Sequence, residues 1–173
     1  AKDDLTAKVA IKGTANVLKS MNAEATIVFP STHVVFEGLK EQKENLDESE
    51  KTNTFLAYST SKVENENQII KSGKNYAIFR LGSVYGFSTD TMRINIMPNL
   101  FSKIASQNGK IKLFGGGVQL KSLVPLIDVA RCFKFVEEKE NFENGIYNLS
   151  KENVTVKDVA DICKKINPKL EIT

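Results

Sequence analysis

Tyr58 and Lys62 stand four residues apart in the run Tyr58-Ser-Thr-Ser-Lys62. The pattern from Phe55 to about Ser72 predicts a helix, and a four-residue spacing puts both side chains on one face of it. An ammonium beside a phenol stabilises the phenolate and draws its pKa down from about 10. A phenol tuned in this way can act as general acid or base on a substrate hydroxyl or carbonyl. The pair alone is not specific, because most chance pairs of this kind are exposed side chains. Thr32 ends an apolar run 26 positions before Tyr58, where its hydroxyl could donate to the same substrate oxygen. A Thr that terminates a strand, or caps the next turn, would look the same.

These residues need elements to hold them. A helix is expected from Asp4, as cap, to about Met21, with Leu5, Val9, Ile11, Val17 and Leu18 as an apolar stripe. Ala25 to Pro30 is a short continuous apolar run, expected to be a strand buried on both faces, with Ser31 and Thr32 at its carboxyl end. Residues 37–53 are polar and without period, and predict a long surface loop of functional kind. After the Phe55–Ser72 helix comes a second buried strand, Tyr76 to Gly82, and a loop, Ser83 to Gly86. Further helices are predicted over Asn95–Gln107, Asp128–Glu138 and a segment capped by Thr155 that carries Val159, Ile162 and Ile166. Strands are predicted at Ile111–Phe114, ending at Gly115-Gly-Gly117, and at Gly145–Leu149, with Lys121–Leu126 extended. The alternation predicts an α/β fold with a parallel sheet. In such sheets ligands bind beyond the carboxyl ends of the strands, which points to Ser31, Thr32 and residues 82–86.

Composition narrows the function classes. The 173 residues are 41% hydrophobic and 26% charged, which excludes disorder and low complexity. A net charge of +3, evenly spread, gives no case for nucleic acid. No apolar run approaches the ~18–20 residues of a membrane span. One histidine, His33, leaves no His cluster, and no metal site is expected. Cys132 and Cys163 lie in apolar helical patterns as reduced core thiols, which fits a cytoplasmic location.

Three ordered stretches carry a family resemblance: Phe29-Pro-Ser-Thr-His-Val-Val-Phe-Glu-Gly38, Tyr58-Ser-Thr-Ser-Lys62 and Phe79-Arg-Leu-Gly-Ser-Val-Tyr-Gly86. Gly115 to Ala130, Gly145 to Ser150 and Lys12 to Leu18 fit in the same order. Together they resemble the extended short-chain dehydrogenases/reductases, the NAD-dependent epimerase/dehydratase proteins. The resemblance implies a partial Rossmann-like parallel sheet with a smaller mixed α/β substrate-binding part. It places the C-terminal portion of a dinucleotide-binding domain at 1–86, and a mainly substrate-binding part, with elements returning to the first, at 87–173. It implies NAD or NADP as cofactor, a nucleotide-sugar substrate, and a possible homodimer of the full-length protein.

The resemblance also implies roles. Tyr58 is the acid/base, and Lys62 holds the cofactor ribose and tunes the phenol. Thr32 bonds the reacting sugar oxygen, while Ser31 and Leu81 line the nicotinamide side. Ser83 stands where the family often has Asn, and Lys121 where Arg commonly binds the nucleotide-sugar phosphates. Lys keeps the cation and loses the bidentate geometry. Ala10 replaces an Asn common in relatives, and Arg80 reads as a structural residue at a strand end. Tyr85 and Phe87 line a substrate cleft or pack as core or lid.

Family dehydratases follow the Thr with Asp and Glu, and here those positions are His33 and Val34. Val34 can do no proton chemistry, so dehydration is disfavoured, and so is decarboxylation. His33 is either an added proton donor or a residue packed at the strand end. An epimerase-type reaction is the leading expectation. A reductase is the alternative, because Ser31 to Gly38 is similar to a segment of dTDP-4-dehydrorhamnose reductases. A non-catalytic dinucleotide-sensing protein of the same fold is the third. The Gly-rich phosphate-binding turn of such enzymes is not found before Ala25, and position 1 is Ala. The chain is therefore expected to be an internal fragment of a larger protein that does not bind dinucleotide tightly alone.

Overall fold

The computed structural model describes residues 2–41, 43 and 45–173. Position 1, and positions 42 and 44 of the expected loop, lie outside the described residues. In chain order the elements are α1 (Lys2–Ser20), β1 (Thr26–Thr32), α2 (Ala57–Lys71), β2 (Asn75–Leu81), β3 (Ser83–Tyr85), α3 (Met97–Ser106) and β4 (Lys110–Ile111). They continue with β5 (Leu120–Pro125), α4 (Leu126–Glu138), β6 (Gly145–Leu149), β7 (Glu152–Thr155), α5 (Val156–Ile166) and β8 (Glu171–Ile172). Short 3-10 turns cover His33–Phe36 and Phe114–Gly117. The chain divides into two units, 1–81 with 132–149 and 82–131 with 150–173.

In the first unit β1, β2 and β6 form a parallel sheet in that order. Strand alternation sorts its side chains. Ile27, Phe29, Tyr76 and Ile146 pack with Ile78, Leu18 of α1 and Ile69 of α2 on one face. Val28, Leu81 and Tyr147 pack with Ala77, Phe79 and the α4 residues Phe133 and Val136 on the other. Ile69 and Ile78 are fully buried, each worth roughly 1.5–3 kcal/mol of transfer free energy. Phe79 stacks on Phe133 with ring centroids 5.7 Å apart.

The expected burial on both faces holds for β2, where Ala77 to Arg80 are all buried, and fails for β1. Thr26 and Pro30 of β1 are exposed, because β1 is the outer strand of the described sheet. Pro30 has no N–H to donate and is tolerated there. The expected stripe of α1 is likewise corrected. Only Leu18 enters the core, while Leu5, Val9 and Val17 are 61%, 63% and 52% exposed. Asp4 does not cap α1, which is already helical at Lys2. The 37–56 segment is tied at its ends, with Gly38 N donating to Asn53 O at 2.8 Å and Asn53 N to Val35 O at 2.9 Å.

In the second unit β3 runs parallel to β5, and β5 antiparallel to β7. β4 pairs with β8. The core joins Phe101 and Ala105 of α3 to Val159, Ala160 and Cys163 of α5, with Ile111, Leu123 and Leu170. Burial pushes the Cys163 thiol pKa up, against a hydrogen bond with Ser102. Gly115, Gly116 and Gly117 all have positive φ, and a Cβ on Gly117 would lie 3.0 Å from the Lys157 amide nitrogen. Residues 83–85 form a strand where a loop was expected, and β7 and β8 were not expected. These short strands have no apolar run to announce them; pairing partners define them. α3 starts at Met97, later than expected, with Pro at its first turn.

Two caps give tests. Thr155 accepts from Asp158 N at 3.0 Å, and Asp158 accepts from Thr155 N at 2.8 Å, closing a capping box on α5. Thr155→Ala is expected to lower stability by about 1 kcal/mol in denaturant unfolding. At α2 the N-cap Leu56 offers no side-chain bond, and Glu37 serves instead. Its Oε1 accepts from Leu56 N at 2.8 Å, from Phe55 N at 3.2 Å and from the Ser59 hydroxyl. Burial works to raise the Glu37 pKa, but the bonds from Ser59, Leu56 and Phe55 outweigh it and hold the carboxyl below its ordinary value. A depressed native pKa contributes stability that is complete above the unfolded value of about 4.3, and that is lost as pH falls through the native one. Amide exchange at Phe55 and Leu56 should therefore accelerate below pH ~4 beyond the intrinsic trend in the wild type. Glu37→Gln should weaken protection at both amides at neutral pH and remove that acid step.

Candidate active site

Tyr58 lies in the first turn of α2 and Lys62 one turn on. The helix puts the Lys62 ammonium 5.9 Å from the centre of the Tyr58 ring. The same Nζ donates to the Pro30 carbonyl at 2.7 Å and lies 4.6 Å from the centre of the Phe29 ring. The expectation that Tyr58 and Lys62 share a face is met. Burial lowers the Lys62 pKa, and the nearby Glu66 charge works to raise it. Tyr58 is 47% exposed, so its hydroxyl is open to a ligand.

Both side chains line a cleft of about 690 Å³ between α1, β1 and α2. Its walls include Leu5, Val9 and Gly13 of α1 and Ile27 and Phe29 of β1. Thr6, Ser61 and Asn65 add polar groups. The Asn65 Oδ1 is buried and has no hydrogen-bond partner among the described residues. A buried acceptor of this kind favours a ligand that carries hydroxyl donors.

Ser31 and Thr32 have separate surroundings. Ser31 is buried, and its hydroxyl donates to Glu66 Oε1. Glu66 also accepts from Arg80 Nη2 at 2.8 Å and Nε at 3.2 Å. Thr32 is extended, and alternation sends its side chain to the opposite side of the strand from Ser31. Its Oγ1 accepts from Val34 N at 3.2 Å, capping the 3-10 turn. That bond uses a lone pair and leaves the hydroxyl proton for another acceptor. No hydrogen bond joins Thr32 to Tyr58 among the described residues. Leu81 pairs with Thr32 across the register and packs in the sheet core.

The His33 Nδ1 lies 2.9 Å from the Leu81 carbonyl oxygen. A carbonyl only accepts, so Nδ1 carries a proton and donates it to this bond. His33 thus pins the turn after β1 to the end of β2. Arg80, read from sequence as structural, is 5% exposed, with Nη1 on the Glu48 carbonyl and its guanidinium 5.3 Å from the Phe36 ring centre. In the second unit Ser83 pairs with Leu123, and Lys121 stands exposed two residues before it on β5. Tyr85 packs against that unit's core, its hydroxyl 3.5 Å from Glu152, while Phe87 is 79% exposed. Sequence reasoning missed Glu37, Asn65 and Glu66. Glu66 had a signal, lying four residues after Lys62 and therefore on its helix face.

No curated protein sequence matches the chain. Solved structures do. UDP-glucose 4-epimerase of Thermotoga maritima, determined with UDP-glucose, is 20% identical with a TM-score of 0.82 over 96% of this chain and 57% of its own. UDP-glucuronic acid 4-epimerase of Bacillus cereus, with UDP-glucuronic acid and NAD, is 21% identical with a TM-score of 0.78 over 95% and 53%. An NAD-dependent NDP-hexosamine 5,6-dehydratase of tunicamycin biosynthesis is 18% identical with a TM-score of 0.77 over 97% and 55%. The chain thus spans about half the length of these structures and shares their fold. The model of the NAD-dependent epimerase/dehydratase family matches residues 1–150, and the chain belongs to that family.

Proposed function

We propose that this chain carries the catalytic face of a nucleotide-sugar epimerase dependent on NAD or NADP. The observation that carries the reading is the Lys62 ammonium held between the Tyr58 ring and the Pro30 carbonyl at the carboxyl end of β1. Family membership and a fold shared with two UDP-sugar 4-epimerases support it.

The residues of the cleft fit a dinucleotide's ribose. Lys62 spends one donor on Pro30 and has others to give, and Asn65 offers an unpartnered acceptor. Lys62 and Tyr58 would hold the cofactor with Ser31 and Leu81, Ser31 through its backbone, since its hydroxyl is engaged by Glu66. When bound, the nicotinamide supplies a hydride acceptor that can return what it takes. Tyr58 removes the proton from the sugar hydroxyl, and the adjacent ammonium stabilises the phenolate side of that transfer. The proton of Thr32 bonds the same sugar oxygen and orients it. Tyr58 then returns its proton once the sugar has presented its other face. Ser83 and Lys121 serve the nucleotide-sugar phosphates, Lys121 as a single cation. His33 and Val34 provide no Asp–Glu pair for loss of water, which favours epimerisation over the dehydratase chemistry of other relatives. The similarity of Ser31 to Gly38 to reductases keeps one-way reduction as the second reading.

The test uses the full-length protein and a panel of UDP- and dTDP-sugars. Tyr58→Phe should cut turnover by about 10²–10⁴-fold and leave dinucleotide affinity close to wild type. Turnover that survives the substitution contradicts the reading. Epimerisation leaves the amount of reduced cofactor unchanged, whereas one equivalent of NAD(P)H consumed per product selects the reductase.

A further inference from the structure

Two successive turns of α2 are fastened to two successive residues of β1. Lys62 Nζ donates to the Pro30 carbonyl at 2.7 Å, and one turn on the Glu66 carboxylate accepts from the Ser31 hydroxyl. Ser31 pairs in register with Arg80 of β2, and Arg80 reaches the same carboxylate through Nη2 at 2.8 Å and Nε at 3.2 Å. Glu66 therefore ties α2, β1 and β2 together at the carboxyl ends of the strands. It is 2% exposed and Arg80 is 5% exposed, so water cannot replace these bonds.

We propose that Glu66 is a positioning residue: locked by Ser31 and Arg80, its carboxylate sets the face of α2 that carries Tyr58 and Lys62 against the end of β1 and supplies the counter-charge for the Lys62 ammonium. The inference rests on reading Tyr58 and Lys62 as the reacting pair. Lys62 is partly buried against Phe29, and desolvation disfavours its charged form. The opposing charge comes from Glu66, on the same helix face. Among the described residues, Glu66 is the charge that acts on Lys62. On its own helix Tyr58 is the remaining titratable group beside it. β1 offers a ring and a carbonyl, and α1 lines the cleft with Thr6, Ala10 and Gly13. Arg80 of β2 is bonded to Glu66, and His33, in the turn packed on α2, is bonded to the Leu81 carbonyl.

The test separates positioning from mere stability. A buried ion pair can often be replaced by apolar residues of similar size with little loss of stability, whereas breaking it from one side is costly. The double variant Glu66→Met/Arg80→Met is therefore compared with Glu66→Gln in the full-length protein. Each is read by thermal unfolding, by kcat and KM separately, and by the titration of Lys62 in carbon-13-labelled lysine spectra. The double variant should unfold near the wild-type temperature and keep its KM, yet lose at least about ten-fold in kcat. In Glu66→Gln, which removes the negative charge alone, Lys62 should titrate at lower pH than in wild type. Activity that returns with stability overturns the proposal, and so does a Lys62 titration that does not move. Should the double variant not fold, Ser31→Ala keeps both charges and removes the tie to β1. A fall in kcat at constant KM then supports the proposal, and an unchanged kcat overturns it. Should the wild type turn over no nucleotide sugar, the functional reading fails by itself. The Lys62 titration still decides whether Glu66 supplies its counter-charge, a shift supporting that part of the proposal and no shift overturning it.

Discussion

An ammonium held partly out of water needs compensation, and much of the first unit is arranged around supplying it to Lys62. Moving an ion of this size into a protein interior costs several kcal/mol even after relaxation. Here a backbone carbonyl, an aromatic face and a carboxylate one turn away share the work. The carboxylate is itself buried, and Arg80 and Ser31 compensate it in turn. Removing any one member leaves another buried group short of a partner, so the cluster holds as a unit. The consequence is a cation with a defined place beside an exposed phenol.

The strand contributes through its alternation. Ser31 and Thr32 are neighbours in sequence and look to opposite sides of β1. Ser31 goes to the helix side and is spent on structure, anchoring Glu66. Thr32 caps the turn after the strand with its lone pair, and that bond does not use its hydroxyl proton. Two similar hydroxyls thus acquire different work from one period-two pattern. The same end of the sheet is held by His33 on the Leu81 carbonyl and by Glu48, whose Oε1 accepts from Asn148 N at 2.6 Å.

Much of this arrangement was legible in the sequence. The continuous apolar run of β2, the helix carrying Tyr58 and Lys62, and the Thr155 cap of α5 each announce themselves by local pattern. What was not legible depends on partners distant in the chain. The exposure of β1 follows from its outer place in the sheet, which no local pattern reports. The strands β3, β7 and β8 are short and exist through their register. Glu37 caps a helix that starts twenty residues later, a pairing invisible to a search for local caps. Asn65 and Glu66 carry no local mark of burial, and tertiary packing buries both. The candidate site was legible where spacing on one helix sets Tyr58 and Lys62 side by side. It was hidden where the chemistry is supported from below.

The central claim is that Tyr58 and Lys62 serve a hydride that leaves a sugar carbon and returns to it. Following a deuterium placed on that carbon of a UDP-hexose, through turnover by the full-length protein in ordinary water, tests this most directly. The account predicts an epimeric product that retains the deuterium at the same carbon, with no label in the solvent. Deuterium lost to water, or an epimer carrying hydrogen at that carbon, would contradict it.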